Sequence, residues 1–357
     1  MRKFLIVIII VVVVLILGAI FLVIFRKAPV PEARIPEFPE YEKMATPTKA
    51  LVSADLSLIS DSEILDYWVT KDTQEVFYIN KAGQIFKANL GKDNLIYETN
   101  LNNLRKIIPS PSGSQVLLGF GKPWELQFSV YNLAKNEFIP LPLEIKQAVF
   151  SPDEKKLLVL VKTETSSNLE IFDLTDKTSK VLIKDFALKD LNFNWLTSEY
   201  IYFYGKPSSI AEAIWRYDLK NKKLSQITPE EPELLVKFLS SSSILKSQNK
   251  KTRLINLDGE IVGSFDYYIL PQKCGISDNL LCCFVPKTSI KNRVESYLKQ
   301  EFYSDDNLHC FDLKKIGKKM ELVKSFSGID ASNVTILGET IYFKNRVDSK
   351  IYSTKLD

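Results

Sequence analysis

Phe150-Ser-Pro-Asp-Glu-Lys-Lys-Leu-Leu-Val159, followed by Ile171-Phe-Asp-Leu174, is the stretch on which the fold turns. It reads as a strand end, a Ser-Pro turn, a second strand, and a third strand closing on an acidic residue and a leucine. Proline pre-sets the turn, and Ser and Asp complete it. The β-branched and aliphatic runs favour strands, and long helical periodicity is nearly absent from residue 64 onward.

Both phrases recur. Ile108-Pro-Ser-Pro-Ser-Gly-Ser-Gln-Val-Leu-Leu118 is a second copy of the turn, and Phe193-Asn-Trp-Leu-Thr-Ser-Glu-Tyr-Ile-Tyr202 is a variant without the proline. The Asn/Asp-Leu ending returns at Asn89-Leu90, Asn132-Leu133, Asp173-Leu174, Asp218-Leu219, Asn256-Leu257 and Asp312-Leu313, with a degenerate copy at Leu356. The leucine-to-leucine intervals are 43, 41, 45, 38, 56 and 43. Periods of ~40–50 residues in a β-rich chain predict propeller blades of four strands. Seven endings predict an all-β, seven-bladed propeller over 48–357, although six and eight blades stay open. The blades fall near 63–100, 104–142, 145–185, 190–230, 232–266, 268–326 and 328–357. The last holds only three strands, so Lys49–Leu58 is expected to supply the fourth and remove the open edge.

The turn phrases resemble the Ser-Pro-Asp-Gly motif of the TolB-like, WD40-like (PD40) β-propeller repeats. The resemblance covers roughly 60–357 and implies the fold, with little about function. The layout as a whole looks like membrane-anchored bacterial surface propellers of that group.

The anchor is read from Phe4–Phe25, which has no charge, proline or strongly polar side chain. As a helix rising ~1.5 Å per residue it would cross a ~30 Å hydrocarbon core. Its apolar core exceeds the ~7–15 residues of a cleaved signal peptide, and no small-residue exit site follows. Residues 1–27 are therefore expected to be a single-pass anchor. Residues 28–47, with Pro29, Pro31, Pro36, Pro39 and Pro47, are expected to be a stalk of extended spacer geometry. A short basic tail at the amino terminus places the body outside the cytoplasm. Basic residues flank both ends, so that orientation is an expectation and a cytoplasm-facing scaffold is the alternative.

Net charge is +4, from 47 basic and 43 acidic residues spread along the chain. That is not the footprint of a nucleic-acid binder. His309 is the one histidine. No Walker loop, GxGxxG, HExxH or Gly-x-Ser-x-Gly elbow occurs, so no cofactor, metal or hydrolase domain is expected. Ser304-Asp-Asp-Asn307 lacks the spacing of a calcium loop. Asp173, Asp218 and Asp312 are expected to shape turns.

The 56-residue interval holds an insertion over 286–306, with a short helix expected around Ile290–Gln300. Members of the group the chain resembles carry an insertion here with a similar Ser-Asp-Asp-Xaa-Leu return, although this copy lacks a tryptophan. Loops between blade strands lie on one rim, where propellers commonly bind. Lys291, Arg293, Tyr297, Phe302 and Tyr303 are the candidate contacts, together with Trp124 in Gly119-Phe-Gly-Lys-Pro-Trp-Glu125. Trp68, Trp195 and Trp215 sit in strand phrases and are expected between blades. Asn333-Val-Thr335 fits a glycosylation sequon.

Cys274-Gly-Ile-Ser-Asp-Asn-Leu-Leu-Cys-Cys283 reads as a hairpin turning at Asp278-Asn279. Counting outward sets Cys274 opposite Cys283 in a non-hydrogen-bonded pair, where Cα atoms approach to ~4.5 Å. A Cys274–Cys283 disulfide is expected, and the resemblance points the same way. Cys282 faces the other side and is expected to stay free or to pack near Cys310. Beside the cytoplasm-facing scaffold, two functions remain in view: an extracytoplasmic module binding a protein or a cell-surface glycan, and an enzyme (a lyase, lactonase or hydrolase) working at the central channel. A channel lined by neutral side chains would close the second.

Overall fold

The computed structural model describes residues 55–89, 92–98, 101, 103–122, 125–186, 191–205, 211–239, 242–248, 251–265, 268–290, 294–315 and 320–356. The expected membrane segment, the stalk, Trp124, Lys291 and Arg293 lie outside them. Among the described residues no helix is long and apolar enough to cross a membrane.

The body forms seven four-stranded antiparallel sheets. Six are consecutive meanders over 64–97, 104–140, 145–183, 191–226, 235–265 and 274–325. The seventh pairs Ala331–Leu337, Thr340–Asn345 and Lys350–Lys355 with Ser57–Leu58. Ser57 faces Ser353 and Leu58 faces Tyr352, so the amino-terminal segment closes the ring as its sequence predicts. The blade limits agree with the repeat reading to within a few residues.

First strands of neighbouring blades pack against one another, whereas fourth strands carry exposed Leu95, Val181, Leu224, Ile261 and Leu322. First strands therefore line the axis. The core is a circle of apolar clusters, each joining two adjacent blades. Trp68, Phe77, Val116 and Tyr131 join blades one and two, and the circle closes where Ile351 of blade seven meets Ile64, Tyr67 and Tyr78 of blade one. Fully burying one such side chain contributes about 1.5–3 kcal/mol. Trp68 and Trp195 are buried in these seams, and Trp215 packs against the same cluster as Trp195.

The repeated phrases have local physical causes. Ser151 Oγ accepts from Lys156 N–H at 3.0 Å, and Ser110 Oγ accepts from Gln115 N–H at 3.2 Å. Each turn needs a left-handed residue, supplied by Gly113 (φ 79°) in blade two and by Glu154 (φ 59°) in blade three. Glycine is required at 113, where a Cβ would lie 2.7 Å from the Val69 carbonyl oxygen of blade one. At 154 a side chain fits, and its carboxylate accepts from Ser112 and Ser114 hydroxyls at 2.8 and 3.0 Å, tying blade three to blade two. Asp173, Asp218 and Asp312 each accept backbone N–H groups of the following turn, at 2.9, 2.8 and 2.9 Å. These bonds hold all three carboxyls below the usual range.

Candidate functional site

The insertion connects the second and third strands of blade six, Leu280–Pro286 and Asp306–Asp312. Its helix is shorter than its sequence suggests, covering Val294–Leu298. Consecutive hairpins of a meander turn at alternate faces of a disc. The Lys122 and Glu125 ends that flank Trp124 therefore lie on the same face as Pro286 and Asp306.

Tyr297 corrects one expectation. It is 2% exposed, so it anchors the insertion and is not a surface contact. Its ring packs with Leu235, Leu270 and Ile290, and the Phe302 ring meets it edge-on at 5.7 Å. Phe302 and Tyr303 are half-buried. The Arg346 guanidinium lies 4.1 Å from the Tyr297 ring centre and 5.7 Å from that of Tyr303.

Beneath the insertion lies an ion cluster in which Lys273, Asp306 and Asp330 have no exposure. Lys273 Nζ donates to Asp306, to Asp330 at 2.7 Å and to Ser304 Oγ at 3.0 Å. Tyr297 O–H donates to Asp330 at 2.6 Å, and Arg346 stands 3.2 Å from the same carboxylate. Two carboxylates meet two cations, so the buried charge balances. Burial would push the Lys273 ammonium down, but the Asp306 charge, with Tyr297 and Asp330, outweighs it and holds the group above its usual range. The sequence gives little sign of this cluster, whose members lie on both sides of the insertion and look like ordinary charges.

Two disulfides flank the same strand. Cys274 faces Cys283, Gly275 faces Cys282 and Ser277 faces Leu280, the register counted from the turn, and Cys274 and Cys283 are bonded. Of the two turn residues, Asp278 takes the positive φ, 49°. Cys282 corrects the second expectation: it is bonded to Cys310. A residue's N–H and C=O point to one side of its strand, and successive residues alternate. If Cys283 is non-hydrogen-bonded toward the first strand, Cys282 is non-hydrogen-bonded toward the third, directly opposite Cys310. Cys274 and Cys283 join the seam with blade five, and Cys282 and Cys310 join the seam with blade seven.

The axis is not neutral. Lys237 in blade five donates to Cys274 O at 2.6 Å in blade six and to Val334 O at 3.2 Å in blade seven. Asn333 in blade seven donates to the Asp66 carboxylate at 2.7 Å and to Tyr67 O at 3.1 Å, and Tyr67 O–H donates back to Asn333 O. Lys344 donates to Leu65 O at 2.6 Å. These groups stitch blades five, six, seven and one by side-chain donors to inner-strand acceptors. Asn333 spends its amide here, against the use of its sequon. His309 lies on the third strand of blade six, where burial lowers its pKa.

Burial pushes Lys237 down to about 8, opposed by Asp66. A lysine lowered from ~10.4 binds fewer protons in the folded chain than in the unfolded one over that interval. Its charge therefore costs stability below pH 8, and the cost fades as pH rises. Urea unfolding should show the wild type gaining about 2–3 kcal/mol relative to Lys237→Met between pH 7.5 and 10. Parallel stability curves would remove Lys237 from this role.

Among the described residues no group of three or more His, Cys, Asp or Glu could hold a metal ion. No family model matches the chain, and no curated protein matches it. Solved structures do. Oligogalacturonate lyase in complex with manganese is 13% identical with a TM-score of 0.57, over 85% of this chain and 91% of that one. An uncharacterised protein of Listeria monocytogenes is 14% identical with a TM-score of 0.55, over 82% and 92%. The tricorn protease is 14% identical with a TM-score of 0.54 over 84% of this chain, which spans only 34% of that one. At these identities the likeness shows the fold alone, and the chain is an all-β, seven-bladed β-propeller.

Proposed function

We propose that this chain is a membrane-anchored, extracytoplasmic β-propeller that acts as an interaction module for a protein or a cell-surface glycan. The observation that carries the reading is the pair of disulfides in blade six, Cys274–Cys283 and Cys282–Cys310. Such bonds persist in oxidising compartments and are rare in the cytoplasm. They agree with a body carried outside by Phe4–Phe25 and the proline-rich stalk over 28–47.

The insertion supplies the binding surface in this reading. It is anchored by the Lys273 cluster and Tyr297, which pre-organises it and lowers the ordering cost of binding. Phe302, Tyr303, Lys291, Arg293 and Trp124 are its contacts. The charged axis leaves the enzyme alternative standing in principle, but Lys237 Nζ donates to two backbone carbonyls, which is a structural use.

Protease treatment of intact cells tests the placement, with the propeller expected to be degraded while a cytoplasmic control survives. Non-reducing peptide mapping of the same membranes should recover 274–283 and 282–310 as linked peptides. A protected body with four free thiols would overturn the reading.

A further inference from the structure

The two disulfides of blade six differ in access. Cys274 and Cys283 have no exposure, so that bond is sealed. In the other, Cys282 has none but Cys310 is 7% exposed, and Cys310 lines a cavity of about 610 Å³ at the seam of blades six and seven. The Asp278-Asn279 turn also lines it, which puts the cavity on the face opposite the insertion. Small-molecule sites run from about 300 to 1,000 Å³, so this one admits a molecule of tripeptide size.

Cys310 meets the cavity through its side chain. Its backbone lies between Cys282 on the second strand and Glu321 on the fourth, so both edges are covered. Alternation puts Leu280 and Cys282 on one face of the second strand, and Cys310 and Asp312 on the same face of the third. That face packs against blade seven, and Leu280, Asp312, Gly338 and Leu356 complete the cavity wall around Cys310. A Cβ built on Gly338 would meet nothing within 4 Å, so this wall leaves open space.

The direction of access is the second observation. Exchange at a disulfide needs a thiolate to approach one sulfur from the side away from the other. Cys282 lies on the second strand, so the approach to Cys310 runs over the fourth. Glu321 and Val323 of the fourth strand line the cavity there, and Val323 is 37% exposed.

We propose that Cys310 is a modification site, at which a low-molecular-mass thiol entering this cavity exchanges with the Cys282–Cys310 bond. The thiolate forms a bond to Cys310 Sγ as the Sγ–Sγ bond breaks. The electron pair of that bond leaves on Cys282 Sγ, which takes a proton from water. The product is a mixed disulfide at Cys310 and a free thiol at Cys282, and attack by Cys282 on the adduct reverses it. Cys282 and Cys310 bracket the insertion over 286–306, so exchange unties its two stems while the sealed bond at the blade five seam persists. The proposal rests on the bond and its cavity, so it can fail while the binding role of the insertion stands.

The test is incubation of the full chain in nanodiscs with glutathione at pH 8, quenched at intervals with iodoacetamide and mapped by mass spectrometry. The 282–310 linked peptide should be lost at least ten-fold faster than the 274–283 peptide, with the first glutathione adduct on Cys310. The rate should not respond to urea below the unfolding transition. Val323→Trp, on an exposed wall position, should slow the exchange several-fold with an unchanged urea midpoint. Equal loss of both linked peptides, a first adduct on Cys282, or no reaction would each overturn the site. A rate that climbs from the first addition of urea would show that thiols reach the bond only in an opened chain, and an undiminished rate in folded Val323→Trp would overturn the route over the fourth strand.

Discussion

Replacing Lys273 with methionine should destabilise the propeller by about 3–5 kcal/mol, because it leaves buried carboxylates without their cation. Methionine keeps the length of the lysine stem, so the loss reports the charge and its hydrogen bonds rather than a cavity. Lys273 has no exposed surface, and neither do Asp306 and Asp330. Burial already pushes the Asp306 carboxyl up. Without the ammonium it should rise further and take a proton on folding. A carboxyl raised in the folded state stabilises at low pH and loses that contribution as pH rises through its pKa. Lys273→Met should therefore recover stability relative to wild type as pH falls from 7 to 5, and adding Asp306→Asn should recover part of it at pH 7. A loss below about 1 kcal/mol, or one independent of pH, would mean that the cluster is not a desolvated ion group.

Deleting residues 1–60 should lower the melting temperature by about 10 °C relative to deleting 1–45, given roughly 2–4 °C per kcal/mol in domains of this order. The longer deletion strips Ser57–Leu58 from the edge of blade seven. It also removes buried Leu56 and Ser60, whose Oγ accepts from Ile351 N–H at 3.0 Å. Truncating a buried leucine alone costs about 2–5 kcal/mol. The exposed edge should also associate with other chains, visible as a concentration-dependent mass in light scattering. Equal melting temperatures for the two truncations would show that the closing strand contributes nothing.

What the sequence discloses follows the range of the interaction. The Ser151 and Ser110 turns and the Asp173, Asp218 and Asp312 turns are bonds between residues two to five apart. They recur with the blade, so spacing alone counts the blades and sets their limits. The Cys274–Cys283 register is equally local, fixed by a two-residue turn. Cys282–Cys310 was within reach of the same alternation. It was lost because the insertion separates the strands and hides which residue faces Cys282. The alternation still holds if Asp312, the repeated strand end, is set opposite Leu280. Tyr297 is hard to place for a related reason: an aromatic in an insertion reads as surface, and the Arg346 guanidinium over its ring comes from the next blade. Lys237 sat in plain view in Leu235-Val-Lys-Phe238, a lysine inside an apolar strand. Its partners on Cys274 and Val334 belong to two other blades, and a linear reading has no means of naming them.

The closing strand has a consequence for how the molecule is made. Ser57 pairs with Ser353, so the first strand to emerge from the ribosome waits for nearly the last. At about 5–20 residues per second that interval is roughly 15–60 s. During it each finished blade can stack on its predecessor, but the ring stays an open arc with an unpaired edge at either end. A chain cut short before Lys350 lacks the partner for Ser57–Leu58 and cannot close. Emergence of Lys350–Lys355 is thereby coupled to removal of the sticky edge of blade seven, and a chain cut before it remains recognisable to the machinery that clears open sheets.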